Sequence, residues 1–342
     1  MNPARLVFLA SCVLPKAFAG DPASPVATAH APEAAPVLAF VWASDLHLDA
    51  SRQDRVAQDL RAAEAAFAPD FFLFTGDNNA IPAPPRAGVP DEPVGLRRHR
   101  HLKAFLDSTL RVPAVVIPGD NWPAGFAEVF GPTQRRLDAA GLQILLLATD
   151  RACHAGGSEG LSVFDEGTWS WLRKELEACR GKPTILALHE PVFPPCFLDA
   201  SPLRGLLRGH PDVLAVLQGH LHADLEFRAD GRTYLVAPAL GPGPRPALKR
   251  ARVYAAEIRM ETYAADAGTG RLVPQGGAQV IAIPRALRSG LVRPANGLSL
   301  VPHSAVPAHP HVEDPALASR AGELARGTPA FLETLLRWRP RR

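Results

Sequence analysis

The segment Leu217-Gln218-Gly219-His220-Leu221-His222 sets two imidazoles one residue apart, behind a glycine, at the end of the apolar run Val213 to Leu217. Residues i and i+2 of a strand share a face, so at a strand end both rings can be aimed at one place. Convergent imidazoles point to a metal, because imidazole is the commonest protein ligand for divalent ions. Taken alone the pair would suit two histidines in an exposed turn equally well. The rest of the chain has to supply partners.

It supplies them at four further places. Val37 to Ala43 ends in Ser44-Asp45-Leu46-His47, and Asp70 to Thr75 ends in Gly76-Asp77-Asn78-Asn79. Ala114 to Ile117 runs into Pro118-Gly119-Asp120-Asn121-Trp122, and Thr184 to Leu188 into His189-Glu190-Pro191. Singly, each residue has an ordinary reading: a cap, a turn or a core histidine. Together they recur at the same structural place, the C-terminal end of a buried strand, where ligands of open α/β sheets gather. The set Asp45, His47, Asp77, Asp120, His189, His220 and His222 holds three carboxylates and four imidazoles. Hard oxygen mixed with borderline nitrogen suits Zn, Mn, Fe or Co rather than Ca or a thiolate-bound structural Zn. Seven ligands exceed the needs of one transition ion and suit two ions about 3.5 Å apart that share a carboxylate.

The elements that must position these residues follow from periodicity. The continuous apolar runs above read as strands buried on both faces. Asp54 to Phe67, Arg97 to Leu110 and Thr168 to Cys179 read as helices, and Leu203 to Arg208 as a short one. Leu142 to Ala148 is a further strand. After His222, Leu225 to Phe227, Thr233 to Val236, Arg252 to Met260 and Val280 to Ile283 read as antiparallel strands. This alternation predicts an α/β layered domain with a mixed sheet. From Pro284 the chain is rich in Pro, Ala, Arg and His without sustained pattern, broken by a candidate helix from Pro315 to Trp338. Residues 284–342 are therefore read as a mostly mobile tail and 37–283 as the folded domain.

The other end reads as a targeting segment. Arg5, the apolar stretch Leu6 to Leu14 and the small-x-small site Ala17-Phe18-Ala19 predict a signal peptide over residues 1–19, hence an exported, periplasmic or secreted protein. Leu9-Ala10-Ser11-Cys12 resembles a bacterial lipobox and would instead leave a lipid anchor on Cys12; the short apolar stretch before it ranks this second. Residues 20–36 form a Pro/Ala spacer. No apolar stretch approaches the roughly 18 residues of a transmembrane span. A net charge of +3 and 7% aromatic residues argue against nucleic acid as partner.

Read in order, the boxes DLH, GDNN, GDNW, HEP and GHLH resemble the calcineurin-like metallophosphoesterases, over residues 37–262. The resemblance implies a four-layer α/β/β/α sandwich, two mixed sheets flanked by helices, with two divalent transition-metal ions (Mn, Fe or Zn). It implies that Asp45, His47 and His222 hold one ion, that Asp120, His189 and His220 hold the other, and that Asp77 bridges. The likeness to purple acid phosphatases is weaker, since Ala80 stands where their metal-binding tyrosine would fall. The third box departs from the pattern. Asp120 occupies the place of the family's asparagine ligand, and Asn121 that of its histidine.

The chemistry implied is hydrolysis of a small phosphomonoester or phosphodiester by a bridging hydroxide at the two-metal site. Asn121 would donate a neutral hydrogen bond to a phosphoryl oxygen but cannot act as an imidazolium acid. General acid catalysis contributes about 10²–10⁴-fold, so its loss leaves two alternatives to a full enzyme: a metal-binding chain with weak or no turnover, or an exported interaction protein. Glu190 could stand in as acid, although its simpler reading is a supporting or surface carboxylate. The run Arg97-Arg98-His99-Arg100-His101 reads as a solvated helix face or as an anion-binding overhang.

Overall fold

The computed structural model describes residues 35–78, 94–120, 125–152, 161–293, 300 and 302–306. The chain divides into Met1–Ala34 and Ala35–Arg342, and all described residues belong to the second unit. The leader, Cys12, nearly all of the spacer, Ala80, Asn121, Cys153 and the candidate helix at 315–338 lie outside them.

In chain order the elements are β1 (Leu38–Ala43), α1 (Gln53–Phe67), β2 (Phe71–Thr75), α2 (Val94–Thr109), β3 (Ala114–Ile117), α3 (Phe126–Phe130), β4 (Gln134–Ala139) and β5 (Leu142–Leu146). Then come β6 (Asp150–Ala152), β7 (Leu161–Val163), α4 (Glu166–Ala178), β8 (Thr184–Ala187), α5 (Ala200–Leu207), β9 (Val213–Gln218), β10 (Leu225–Ala229) and β11 (Arg232–Val236). The chain continues through β12 (Ala247–Val253), β13 (Glu257–Ala265), β14 (Leu272–Ala282), a 3-10 helix (Arg285–Gly290) and β15 (Pro302–Val306).

Two mixed sheets result. A six-stranded sheet has the order β14-β13-β12-β1-β2-β3, and a seven-stranded sheet the order β10-β11-β9-β8-β5-β4-β15. Strands β1, β2 and β3 run parallel, as do β5, β8, β9 and β11; β12, β13 and β14 in one sheet and β4, β10 and β15 in the other pair antiparallel. Side chains alternate across each strand, and that alternation makes the layers. Leu38, Phe40 and Trp42 of β1 and Phe71 and Leu73 of β2 face inward against Ile144, Ile185, Leu217 and Leu235 of the other sheet. Val41 and Ala43 of β1 and Phe72 and Phe74 of β2 face outward, under Val56 and Leu60 of α1 and Leu102 and Leu106 of α2. On the far side, Leu145, Leu186 and Val216 lie under Trp171 and Leu172 of α4 and Leu203 of α5. The fold is thus the expected four-layer α/β/β/α sandwich. Each fully buried Phe or Leu contributes roughly 1.5–3 kcal/mol, and the strands that carry the boxes are buried at nearly every position.

Beside the unexpected α3, β6 and β7 and a β14 that begins at Leu272 rather than Val280, three differences from the sequence expectations matter here. The run read as one strand, Arg252 to Met260, is the turn of a hairpin: β12 ends at Val253, and Tyr254 N donates to Glu257 O at 2.8 Å to start β13. Strand β4 was not expected, because its side chains alternate weakly and include Arg135 and Arg136. Ordered structure also continues past Ile283: Leu287 and Leu291 are buried in the inter-sheet core, and β15 pairs antiparallel with β4.

Candidate metal centre

Five loops meet where β1, β2, β3, β8 and β9 end. Backbone hydrogen bonds lock them in series. Asp45 N donates to Gly76 O at 3.0 Å, His47 N to Asp77 O at 2.9 Å, and Gly219 N to His189 O at 2.9 Å. Helix α1 reaches back to the same loops, with Arg52 Nη1 donating to His47 O at 2.8 Å and Arg55 Nη2 to Gly241 O at 2.6 Å. Gly241 N in turn donates to Asp45 O at 3.0 Å.

The backbone here is unusual. Asp45, His47, Asp77, His220 and His222 have φ of 54°, 36°, 49°, 70° and 52°. Left-handed conformations cost non-glycine residues of order 1–3 kcal/mol each, and they persist only where the surroundings over-determine them. Two glycines make room. A Cβ on Gly119 would stand 1.9 Å from Asp77 Oδ1, and one on Gly76 (φ +99°) 2.4 Å from His189 Nδ1.

All seven residues singled out above come together. Three sets of donors lie mutually within 4.8 Å: Asp45, His47 and His222; Asp120, His189 and His220; Asp45, Asp77 and His189. His222 Nε2 is 3.1 Å from Asp45 Oδ1, and His47 Nε2 is 3.7 Å from both Asp45 Oδ1 and Asp77 Oδ2. His189 Nε2 is 3.1 Å from Asp120 Oδ1 and 3.6 Å from Asp77 Oδ2, and His220 Nδ1 is 3.4 Å from Asp120 Oδ1. His220 and His222 therefore go to different sets. Strand β9 ends at Gln218, and the left-handed residues beyond it break the i, i+2 alternation that would have sent both rings one way.

The donor atoms fit metal ions. Asp45 Oδ1 is fully buried and makes no hydrogen bond, although imidazole nitrogens of His222, His47 and His189 stand 3.1, 3.7 and 3.9 Å away. His47 Nε2 and His222 Nε2 face each other at 3.2 Å, so their lone pairs converge. His189 Nδ1 donates to Thr75 O at 2.7 Å, which leaves Nε2 as the atom turned toward the carboxylates. Metal-binding histidines are habitually oriented by such a carbonyl. No residue type signals this partner, because it is a backbone atom.

Without ions the cluster is held by charge. Burial works against ionisation of Asp45, but the neighbouring imidazoles of His189, His222 and His47 hold its carboxyl far below the usual range. Burial likewise opposes ionisation of Asp120, and His189 and His220 overcome it. Burial disfavours the His189 imidazolium, yet Asp77, Asp45 and Asp120 raise it well above an ordinary histidine. His220 is also raised, by Asp120 against burial.

Burial decides the reading of two neighbours. His99 is not on a solvated face: it is 3% exposed, edge-on to Phe126 at 5.3 Å, and shares a small cavity with Asp77 and Asn78. Glu190 is buried and accepts from Thr149 Oγ1. No helix among the described residues is long and apolar enough to cross a membrane.

No protein-family model matches the chain, and no curated protein sequence matches it. Solved structures do. A dimetal phosphatase from Danio rerio is 16% identical and superposes with a TM-score of 0.54 over 72% of this chain and 99% of its own. GAP50, the anchor in the inner membrane complex of Plasmodium, is 12% identical with a TM-score of 0.52, over 79% of this chain and 99% of its own. With the two mixed sheets, the order of boxes and the donor sets, these likenesses show that the chain has the calcineurin-like metallophosphoesterase fold.

Proposed function

We propose that this chain is a metal-dependent phosphoesterase acting on a small phosphomonoester or phosphodiester. In this reading Asp45, His47 and His222 hold one divalent ion, Asp120, His189 and His220 hold a second, and Asp77 lies between them as the shared ligand. The observation that carries the reading is the gathering of seven donors from five loops into three overlapping sets, two of which share Asp45, whose buried Oδ1 has no hydrogen bond of its own. Two ions held there would supply Lewis acidity toward a phosphoryl oxygen and a nucleophile available at neutral pH.

The chain's own residues do the rest. Thr75 O fixes the His189 ring, and His220 N–H donates to Asp45 Oδ2 at 3.0 Å, fixing the carboxylate between the two halves. Asp120, where the resembling family has a neutral amide, adds one negative charge and strengthens cation binding. Asn121 donates a hydrogen bond to the phosphoryl group but carries no proton to a leaving group.

A second reading is favoured by two observations: the missing imidazole at Asn121, and a neighbour, GAP50, that serves as an anchor. In it, the centre binds metal with little or no turnover. One assay separates them: the purified chain with Mn²⁺ or Zn²⁺, on an activated aryl phosphate and an aryl phosphodiester. An enzyme hydrolyses at least one of them, and Asp77→Asn abolishes that activity, a loss larger than the roughly 10–100-fold expected of a supporting residue. Two bound ions with neither substrate turned over establishes the second reading. If loss of the acid limits the rate, Asn121→His accelerates poor leaving groups more than good ones, toward the ~10²-fold lower end of general acid catalysis. We further propose export by the leader, with mass spectrometry of the mature N-terminus distinguishing Gly20 from a lipidated Cys12.

A further inference from the structure

The inward rows of three adjacent strands each turn from apolar to polar, with Lys249 opposite Thr262 and Gln279 one step away, opposite Met260. On β12 the row reads Val253, Ala251, Lys249; on β13 it reads Ile258, Met260, Thr262; along β14 and the residue just after it, it reads Ile283, Ile281, Gln279. The first two of each are inter-sheet core. The third of each is polar, and Lys249, register partner of the core residue Trp42, is 0% exposed. An ammonium between two sheets must use its three donors. Lys249 Nζ uses all of them: Asp224 Oδ1 at 2.5 Å, Thr262 Oγ1 at 2.8 Å and Gln279 Oε1 at 2.9 Å. Thr262 Oγ1 completes the ring by donating to Asp224 Oδ2 at 2.5 Å.

Asp224 immediately precedes β10, the edge strand of the other sheet. It sits between His222 and the start of β10, so the network spans from one sheet to the loop that carries two of the candidate ligands. That loop needs an anchor. His222 is left-handed (φ 52°) with a side chain 40% exposed, and among the described residues no backbone hydrogen bond holds His222 or Ala223. An apolar side chain at 249 would fill the layer without the desolvation cost of a charge. What the ammonium adds is a fixed place for one carboxylate.

We infer that Lys249, with Thr262 and Gln279, is a positioning group for the candidate metal centre: it pins Asp224 and thereby sets where His222 stands opposite Asp45 and His47. This rests on the two-ion reading above. The test is calorimetric titration of Mn²⁺ into the chelator-stripped full chain, beside thermal unfolding of the same stripped protein. Asp224→Ala is expected to weaken one of two Mn²⁺ steps about 10–100-fold, with the other within about threefold and the stripped protein still folded. Asp224→Asn, which keeps an oxygen for Lys249, is expected to recover most of the loss. If Lys249→Met fails to fold, Asp224→Ala and Thr262→Val carry the test, since Asp224 is 32% exposed. Unchanged Mn²⁺ steps in Asp224→Ala, whatever its unfolding temperature, overturn the positioning role alone. No Mn²⁺ uptake by the unaltered chain overturns the two-ion reading and this role with it.

Discussion

One half of the candidate centre grows out of the core and the other hangs from loops. His189, the middle of the set with Asp120 and His220, follows a strand buried at every position, is 3% exposed, and has one ring nitrogen on Thr75 O and the other on Asp120. In the set Asp45, His47 and His222, all three residues are left-handed, and the two imidazoles are 29% and 40% exposed. In the first half the fold settles the orientation of the His189 ring, while His220 beside it is left-handed and 32% exposed. The open half is defined mainly by how neighbouring loops are pinned, by Arg52 on one side and Asp224 on the other. The two halves should therefore fail in different ways.

The largest contrast is expected between His189→Ala and His222→Ala in the stripped protein. Removing the buried imidazole leaves buried carboxylates without their counter-charge, a loss on the order of 3–5 kcal/mol. Removing the half-exposed one costs at most about 1 kcal/mol. Urea unfolding measures both, and equal losses would break the distinction. A smaller effect is kinetic. A chelator should remove the ion of the open half first, about tenfold faster or more, because solvent reaches it directly; simultaneous release, followed by metal-sensitive dye, would show that the halves act as one.

The smallest effect is in pH. His189 and His220 are raised in the metal-free fold, so the stability they contribute is full below the ordinary histidine value of about 6.5 and is lost as pH climbs through their folded values. Asp45 and Asp120 are lowered, so their contribution is present above about 3.9 and lost as pH falls through their folded values. The stripped chain should thus lose unfolding temperature above about pH 6.5. His189→Ala should flatten that decline more than His222→Ala; the reverse order would assign the linkage to the open half.

Much of this was legible in the residues. Each candidate ligand closes an apolar run, and five such closures in one order outweigh the ordinary reading of any single one. The four longer helices and the buried strands that carry the boxes followed from period and apolar runs alone. What was hidden was hidden for physical reasons. Nothing in the types of His220 and His222 reveals the left-handed backbone that parts them. Thr75 acts through a carbonyl that any residue would offer. His99 sits in a basic run and looks solvated, yet Phe126 and Phe130 cover it. Arg135 and Arg136 disguise β4 as a polar loop, because their side chains reach Val116 O and Glu175 rather than water. Tyr254 to Ala256 carries no glycine or proline to announce the hairpin between β12 and β13.

The pairing of β15 with β4 has a consequence for the chain as a polymer in solution. The seven-stranded sheet ends at β15, whose pairing covers backbone that β4 would otherwise present as a bare edge. Bare edges are templates for another chain's strand. A chain shortened after Ile283 would keep all five loops of the candidate centre and lose this cover, together with Leu287 and Leu291 from the inter-sheet core. Its chemistry would be intact on paper, while its fate in the tube would be decided by self-association at the edge farthest along the sheet from β10.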